Sequence, residues 1–303
     1  MNKLYDIIVV GGGPAGLTAA LYGLRNGKSV IVIEKSVFGG QIVNSPKVEN
    51  IPGFNSISGE EFGDLLMNQV TNQGGELMFD EVTGIETCND EVIVKTDMGQ
   101  EFYGKTCILA TGTTHRTLGL TNEDTFIGKQ IHFCAVCDGN FYKDKKVVMI
   151  GGGNSALVDS NFLVDIVDKL VILQDMPMFT GEQRLQDKLF ANPKVEAHVS
   201  CKILEYVIIG NEFKGVKYSI NGIEYFEECD GVFLAVGLVP DNKAFTNVVD
   251  LDERGYFASD ESSLTKTKNI FVAGDARHKS LRQVATACSD GANAAIAAIN
   301  YLR

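Results

Sequence analysis

The sequence predicts an α/β protein with two Rossmann-like nucleotide-binding domains, and two stretches carry that expectation. In the first, residues 5–10 (YDIIVV) form a short apolar, β-branched run typical of a buried strand. Residues 11–16 (GGGPAG) are a glycine turn, 17–24 a compact helix, and 29–33 a second buried strand ending at Glu34. The second stretch repeats this grammar: a strand at 146–150 (KVVMI), a glycine turn at 151–156 (GGGNSA), a helix at 157–166 and a strand at 170–173, with Asp175 just beyond. Two such units in one chain mean two nucleotide folds joined in one molecule.

The text between and after them differs. Residues 91–105 and 213–226 alternate in polarity around Gly or Asn-Gly turns and read as antiparallel hairpins. Residues 109–112 (LATG) and 234–237 (LAVG) read as strands ending on glycine, 270–275 (IFVAGD) as a buried strand closing on Gly-Asp, and Ala-rich 285–301 as a long helix. No low-complexity linker intervenes, so the domain crossings are short, near Thr114 and near Asn242.

Composition excludes several classes. Of 303 residues, 45% are hydrophobic and 22% charged, as in a globular protein and unlike a disordered or fibrous one. A formal net charge of -12 argues against nucleic acid or an anionic membrane as main partner. Lys3 and Asp6 rule against a secretory leader at the start, and no run approaches the roughly 18 apolar residues of a membrane span. Seven cysteines with a single close pair do not make a secreted disulfide framework, so the cytoplasm is expected.

The glycine turns carry binding chemistry. Gly11, Gly13 and Gly16 allow a tight turn, close approach of a pyrophosphate, and close packing of helix on strand. The helix end then offers free N–H groups to phosphate, and Glu34 accepts from ribose hydroxyls. In the second turn (Gly151, Gly153, Ala156) the fold is clear and the ligand is open. Residues 174–179 (QDMPMF) hold no cation for a 2′-phosphate. Either Asp175 takes the ribose hydroxyls of NADH, or the module is a nucleotide fold without its nucleotide.

Cys134 and Cys137 form the single CxxC, followed directly by Asp138. Two thiols at this spacing close a small disulfide ring, and a neighbouring carboxylic acid delivers or collects the proton that exchange requires. A structural zinc site needs about four ligands, and beyond His132 none stands near. Haem attachment needs His in place of Asp138. Two buried structural cysteines remain the bland alternative.

Taken together, these motifs resemble the low-molecular-weight thioredoxin reductases over nearly the whole chain. The shared stretches are GGGPAG at Gly11, GGQ at 39–41, VENIPGF at 48–54, ATG at Ala110, CAVCDG at 134–139, GGGNSA at Gly151 and GDARHKSLRQVATACSDG at 274–291. The resemblance implies an FAD domain split in sequence, 1–114 and 245–303, around a smaller inserted pyridine-nucleotide-type domain, 115–244, that carries the dithiol. FAD is implied at Gly11, Gly13, Pro14, Ala15, Gly16 and Glu34, with Gly40, Gln41 and Asn50 along the cofactor. Val82, Ala110, Thr111, Gly112, Gly274 and Asp275 are further contacts, and Arg282, Gln283 and Val284 border the isoalloxazine ring. Cys137 is implied as the thiol next to the flavin, Cys134 as the thiol that attacks thioredoxin, and Asp138 as the acid–base group. No metal is implied, and the family is usually a homodimer. Glutathione-reductase-like enzymes carry their cysteine pair soon after the first glycine turn, whereas no cysteine here precedes Cys88.

One departure bears on the electron donor. NADPH-dependent members carry a His-Arg-Arg motif and a further Arg, whose places here are Gln174, Asp175, Met176 and Thr180. Without the arginines, the charge and forked donors that grip a phosphate are gone. The pattern therefore resembles the ferredoxin-dependent flavin thioredoxin reductases. An acidic ferredoxin needs a basic patch, for which Lys143, Lys145 and Lys146, or Arg277, His278, Lys279 and Arg282, are the candidates. An NADH- or NADPH-linked reductase and a flavin dithiol oxidase are the alternatives; a non-enzymatic flavoprotein leaves Cys134 and Cys137 without a purpose.

Overall fold

The computed structural model of the protein describes residues 3–45 and 47–303. The chain opens with β1 (Leu4–Val10), α1 (Pro14–Arg25), β2 (Val30–Glu34), α2 (Gly59–Asn72), β3 (Glu76–Phe79), β4 (Val82–Cys88), β5 (Glu91–Thr96) and β6 (Glu101–Leu109). After β7 (Thr114–His115) come α3 (Glu123–Phe126), β8 (Ile131–His132), α4 (Ala135–Asp138), β9 (Lys146–Ile150), α5 (Asn154–Leu163) and β10 (Lys169–Leu173). Then follow α6 (Gln183–Phe190), β11 (Val195–His198), β12 (Cys201–Ile209), β13 (Glu212–Ile220), β14 (Ile223–Glu228) and β15 (Gly231–Leu234). β16 (Leu238–Val239), β17 (Ile270–Val272) and α7 (Val284–Tyr301) complete it.

The chain divides into two units, Met1–Thr114 with Val239–Arg303, and His115–Leu238. The return crossing thus lies at 238/239, not at the expected 244/245. Asn242 explains the correction: it is buried in the first unit, its amide donating to the carbonyls of Gly255 and Ala276, each at 3.1 Å. Met1, where the expected first domain begins, lies outside the described residues.

In the first unit the sheet order is β3-β2-β1-β6-β5-β4, with β17 on β6. β1 runs parallel to β2 and β6, and β4, β5 and β6 are antiparallel. The central strands are apolar on both faces because both are covered. Ile7 and Val9 pack with Leu17 of α1 and Ala294 of α7, whereas Ile8 and Val10 pack with Phe257 and Val249. α7 lies close on α1, since a Cβ on Gly291 would come 2.1 Å from the Ala15 carbonyl oxygen.

The second unit is a parallel sheet, β11-β10-β9-β15-β8, with a separate antiparallel sheet β12-β13-β14. Residues 109–112 and 234–237 are not strands throughout: β6 stops at Leu109 and β15 at Leu234. There the chain leaves the sheet and lays the carbonyls of Ala110 and Ala235 against Gly11 and Gly151. Among the described residues no helix is long and apolar enough to cross a membrane.

Candidate functional site: two glycine cradles and a disulfide

The first cradle needs its glycines. Gly11 has φ +103, and a Cβ there would sit 2.2 Å from the Ala110 carbonyl oxygen; one on Gly16 would sit 1.9 Å from the carbonyl oxygen of Gly11. Gly13 is the N-cap of α1 and offers no side-chain cap, and Pro14 takes the first helical position, where no N–H is missed. The following N–H groups of the first turn, from Ala15 and Gly16, are left for an anion. Glu34 Oε2 accepts from Gly12 N at 2.6 Å and Oε1 from Ser36 N at 2.7 Å. A carboxylate has roughly four acceptor positions, so two remain for a ligand.

Ala110, Gly40 and Gly274 are expected cofactor residues that lie against this turn. A Cβ on Gly40 would come 3.0 Å from Gly13 Cα, and one on Gly274 2.7 Å from Ala15 Cβ. Asp275 Oδ1 is buried without a hydrogen-bond partner, its nearest cation being Lys279 Nζ at 3.5 Å, and burial raises the carboxyl pKa. Arg282 lies over the Tyr256 ring at 4.0 Å and donates to the Asp275 carbonyl at 3.3 Å. Gln283 caps α7, which begins at Val284, and accepts from Asn50 Nδ2 at 2.9 Å. Gln41 donates to the Thr113 carbonyl, and Thr111 Oγ1 donates to Asn242 Oδ1 at 2.9 Å. Gly112 has φ +68, and Val82 packs against the core cluster of Ile8 and Val10. An uncapped helix end, glycine positions where any side chain would fill the cradle, and a buried carboxylate oxygen without a hydrogen bond fit FAD.

The second cradle copies the first. Gly151 has φ +129, with the Ala235 carbonyl oxygen 2.3 Å from its would-be Cβ, and Gly153 is an N-cap without a side-chain cap. Gly11 N donates to Ile33 O at 2.8 Å and Gly151 N to Leu173 O at 2.9 Å, so Gln174 matches Glu34. Phe38 lies against Gly12, and Phe179 against Gly152. One of the two sequence readings gives Asp175 the ribose hydroxyls of NADH; by this register it is Gln174, buried, that stands where Glu34 does, and Asp175 lies one residue further on, exposed. The signal is the register and not the acid: Glu34 and Gln174 each directly follow the residue whose carbonyl accepts from the first glycine of the turn.

Cys134 and Cys137 form a disulfide. Cys134 is the N-cap of α4, and its Sγ accepts from Cys137 N at 3.1 Å. Cys134 is half-buried and Cys137 exposed. Asp138 Oδ2 lies 3.0 Å from Nδ1 of buried His132, at angles outside those of a formed hydrogen bond. The other nitrogen, Nε2, meets the Tyr142 hydroxyl at 2.8 Å. The sequence had offered His132 only as a zinc ligand; among the described residues no group of three or more His, Cys, Asp or Glu could hold a metal ion.

The basic clusters fare differently. Arg277, His278, Lys279 and Arg282 do not form a patch. Arg277 makes a two-pronged pair with buried Asp290, both contacts at 2.8 Å, and Lys279 Nζ reaches the same carboxylate at 3.1 Å. His278 pairs with Asp252 and Arg282 covers Tyr256. In the other cluster Lys146 pairs with Glu227, leaving Lys143 and Lys145 exposed.

Known proteins match this arrangement. A family model described as pyridine nucleotide-disulphide oxidoreductase matches residues 5–291. A thioredoxin reductase of Listeria monocytogenes is 38% identical over 99% of this chain and 95% of its own. A thioredoxin reductase of Bacillus subtilis is 34% identical over 99% of this chain and 96% of its own. Among solved structures, thioredoxin reductase from Lactococcus lactis superposes with TM-score 0.94 at 32% identity, covering 98% of this chain and 99% of that one. Thioredoxin reductase from T. acidophilum gives TM-score 0.94 at 33% identity, covering 100% of both.

Proposed function

The chain belongs to the pyridine nucleotide-disulphide oxidoreductase family, in its low-molecular-weight thioredoxin reductase branch, and we propose how it carries out that chemistry. It is an FAD-dependent disulfide oxidoreductase of the thioredoxin reductase type. The observation that carries this reading is the Cys134–Cys137 disulfide followed directly by Asp138.

The first cradle would hold FAD: the α1 end would take its pyrophosphate, Glu34 its adenosine ribose, and Asp275 its ribityl side. When bound, it supplies two electrons. Cys137 receives them on the flavin side, and Cys134 attacks one sulfur of the thioredoxin disulfide, with Asp138 as acid–base group. Trapping distinguishes the two thiols: in Cys137→Ser, a stable mixed disulfide with thioredoxin forms at Cys134. A trap forming only in Cys134→Ser reverses the order.

The donor is a ferredoxin rather than NADPH. Supporting this, Gln174, Asp175, Met176 and Thr180 place no cation where a 2′-phosphate is gripped, and Lys143 with Lys145 stays exposed for an acidic partner. A second reading, reduction by NADH or NADPH, is favoured by the intact cradle at Gly151. Anaerobic photometry separates them: bleaching of the flavin band by NADH or NADPH within seconds ends the ferredoxin reading. Turnover of thioredoxin with reduced ferredoxin alone upholds it, and rapid peroxide formation points to a dithiol oxidase. A cytoplasmic homodimer belongs to the same proposal and is checked by sedimentation and fractionation.

A further inference from the structure

Behind the dithiol lies a polar chain that the CxxCD motif does not contain. His132, at the end of β8, is 4% exposed. Its Nδ1 faces Asp138 Oδ2 at 3.0 Å; its Nε2 faces the Tyr142 hydroxyl at 2.8 Å and the Lys129 carbonyl at 3.1 Å. The Tyr142 hydroxyl itself donates to Lys129 O at 3.1 Å. Phe233 packs on both rings, and Gly231 makes the space, since a Cβ there would come 2.2 Å from the Tyr142 ring.

The proton positions follow from what each group is able to do. A carbonyl only accepts, so Lys129 O takes the single Tyr142 proton, and the phenol oxygen then accepts from Nε2–H. Neutral His132 therefore turns a bare Nδ1 to Asp138, where it accepts from the carboxylic acid. Charged His132 turns Nδ1–H to the carboxylate. A modest rotation of the Asp138 carboxyl aligns either bond, and one proton lies between the two side chains in both.

We propose that His132 is a positioning residue that stores the proton Asp138 delivers, keeping that acid supplied at neutral pH. The proposal rests on the reading of Asp138 as the acid–base group. Two electrons from the flavin break the Cys134–Cys137 bond and leave two thiolates. The one proton the pair shares passes from His132 Nδ1 to Asp138 and from Asp138 to one sulfur, leaving Asp138 a carboxylate and His132 neutral. Neutral His132 keeps Nε2–H, and a solvent proton recharges the pair. When the Cys134 thiolate forms a mixed disulfide with thioredoxin, the sulfur that leaves takes its proton from the same pair.

The other titratable groups around this chain are Tyr142, Cys229, Asp230 and Lys145. Burial first, then the charges of Asp138, Cys229 and Asp230, push the Tyr142 phenol well up, so it stays protonated. Lys145 Nζ lies over the Tyr142 ring at 5.7 Å.

The test is single-turnover reduction of thioredoxin by dithionite-reduced holoenzyme, followed against pH. His132→Asn retains a polar contact to Asp138 but carries no charge. An ordinary carboxylate loses its proton about two units below an imidazolium, so the falling alkaline limb moves to acid by at least about one unit. The rate near pH 8 then drops about tenfold, while the acid plateau stays within about twofold of wild type. His132→Gln, which reaches Tyr142 instead, gives the same shift and serves if His132→Asn does not fold. Superimposed profiles, or a uniform fall at every pH, overturn the proposal. Asp138→Asn keeps the two readings apart: a wild-type rate in that variant overturns the acid–base role itself. A slow Asp138→Asn beside an unshifted His132→Asn overturns only the inference.

Discussion

Glu34 and Gln174 hold the same place in two copies of one fold. Glu34 binds the backbone N–H groups of Gly12 and Ser36, at 2.6 and 2.7 Å. Gln174 packs on Gly152, donates to Met178 O at 3.2 Å and accepts from Asp175 N at 3.1 Å. The first is an anionic acceptor with lone pairs to spare; the second is neutral and satisfied within its own loop.

Glu34→Gln tests the first cradle. The substitution conserves shape but turns an NH2 group toward a backbone N–H. Hydrogen bonds to charged groups contribute about 1.5–3 kcal/mol, so FAD binding weakens by at least about tenfold. Flavin retained through gel filtration, and its dissociation constant from fluorescence, provide the check. Unchanged flavin content would show that Glu34 only braces the turn.

Asp290→Asn tests the buried charge network. Arg277 and Lys279 have side chains 3% and 4% exposed, and both lean on this carboxylate. Removing that charge leaves Arg277 only the exposed Glu261 and Lys279 only the longer contact to Asp275, and breaking such a buried pair costs about 3–5 kcal/mol. The urea midpoint should fall accordingly; a shift below about 1 kcal/mol would mean that solvent reaches the cations.

Thiol reactivity follows burial. Cys88 is exposed, Cys288 half-buried, and Cys107, Cys201 and Cys229 buried. Burial pushes the Cys201 thiol up to about 11 and raises those of Cys107 and Cys229 as well. The oxidised native protein should therefore label rapidly at Cys88, slowly at Cys288, and at the three buried thiols only on unfolding. Reduction should add Cys134 and Cys137. Mass spectrometry after iodoacetamide decides, and fast labelling of Cys107 would refute the packing of the first unit.

Asp159, half-buried on α5, has its carboxyl pushed up to about 7 by burial. A raised acid binds its proton more tightly folded than unfolded, so stability falls as pH rises from about 4 through 7 and levels off above. Asp159→Asn removes that slope: the variant should be the more stable near pH 8 and equal to wild type near pH 4. Parallel urea curves at both pH values test it. An equal difference at both would assign the effect to packing.

The strands, the glycine turns and the dithiol were legible in the sequence because each is a local signal. A β-branched run, a turn that admits no Cβ, and two cysteines at CxxC spacing have their meaning within a few residues. Alternation reveals the hairpins for the same reason, while α2, whose apolar residues are interspersed with polar and charged ones, carries no expectation. What depends on register or burial was decided by tertiary structure. Pairing of Gly151 with Leu173 puts Gln174, not Asp175, at the position that Glu34 holds in the first unit. Asp290 turns Arg277 and Lys279 inward, so an apparent basic patch becomes an internal network. His132 and Tyr142 meet only because β8, α4 and the turn at 139–142 fold the chain back on itself. Spacing along the chain specifies which groups are present; the direction in which each side chain points, and whether water or a counter-charge meets it, is a property of the packed fold.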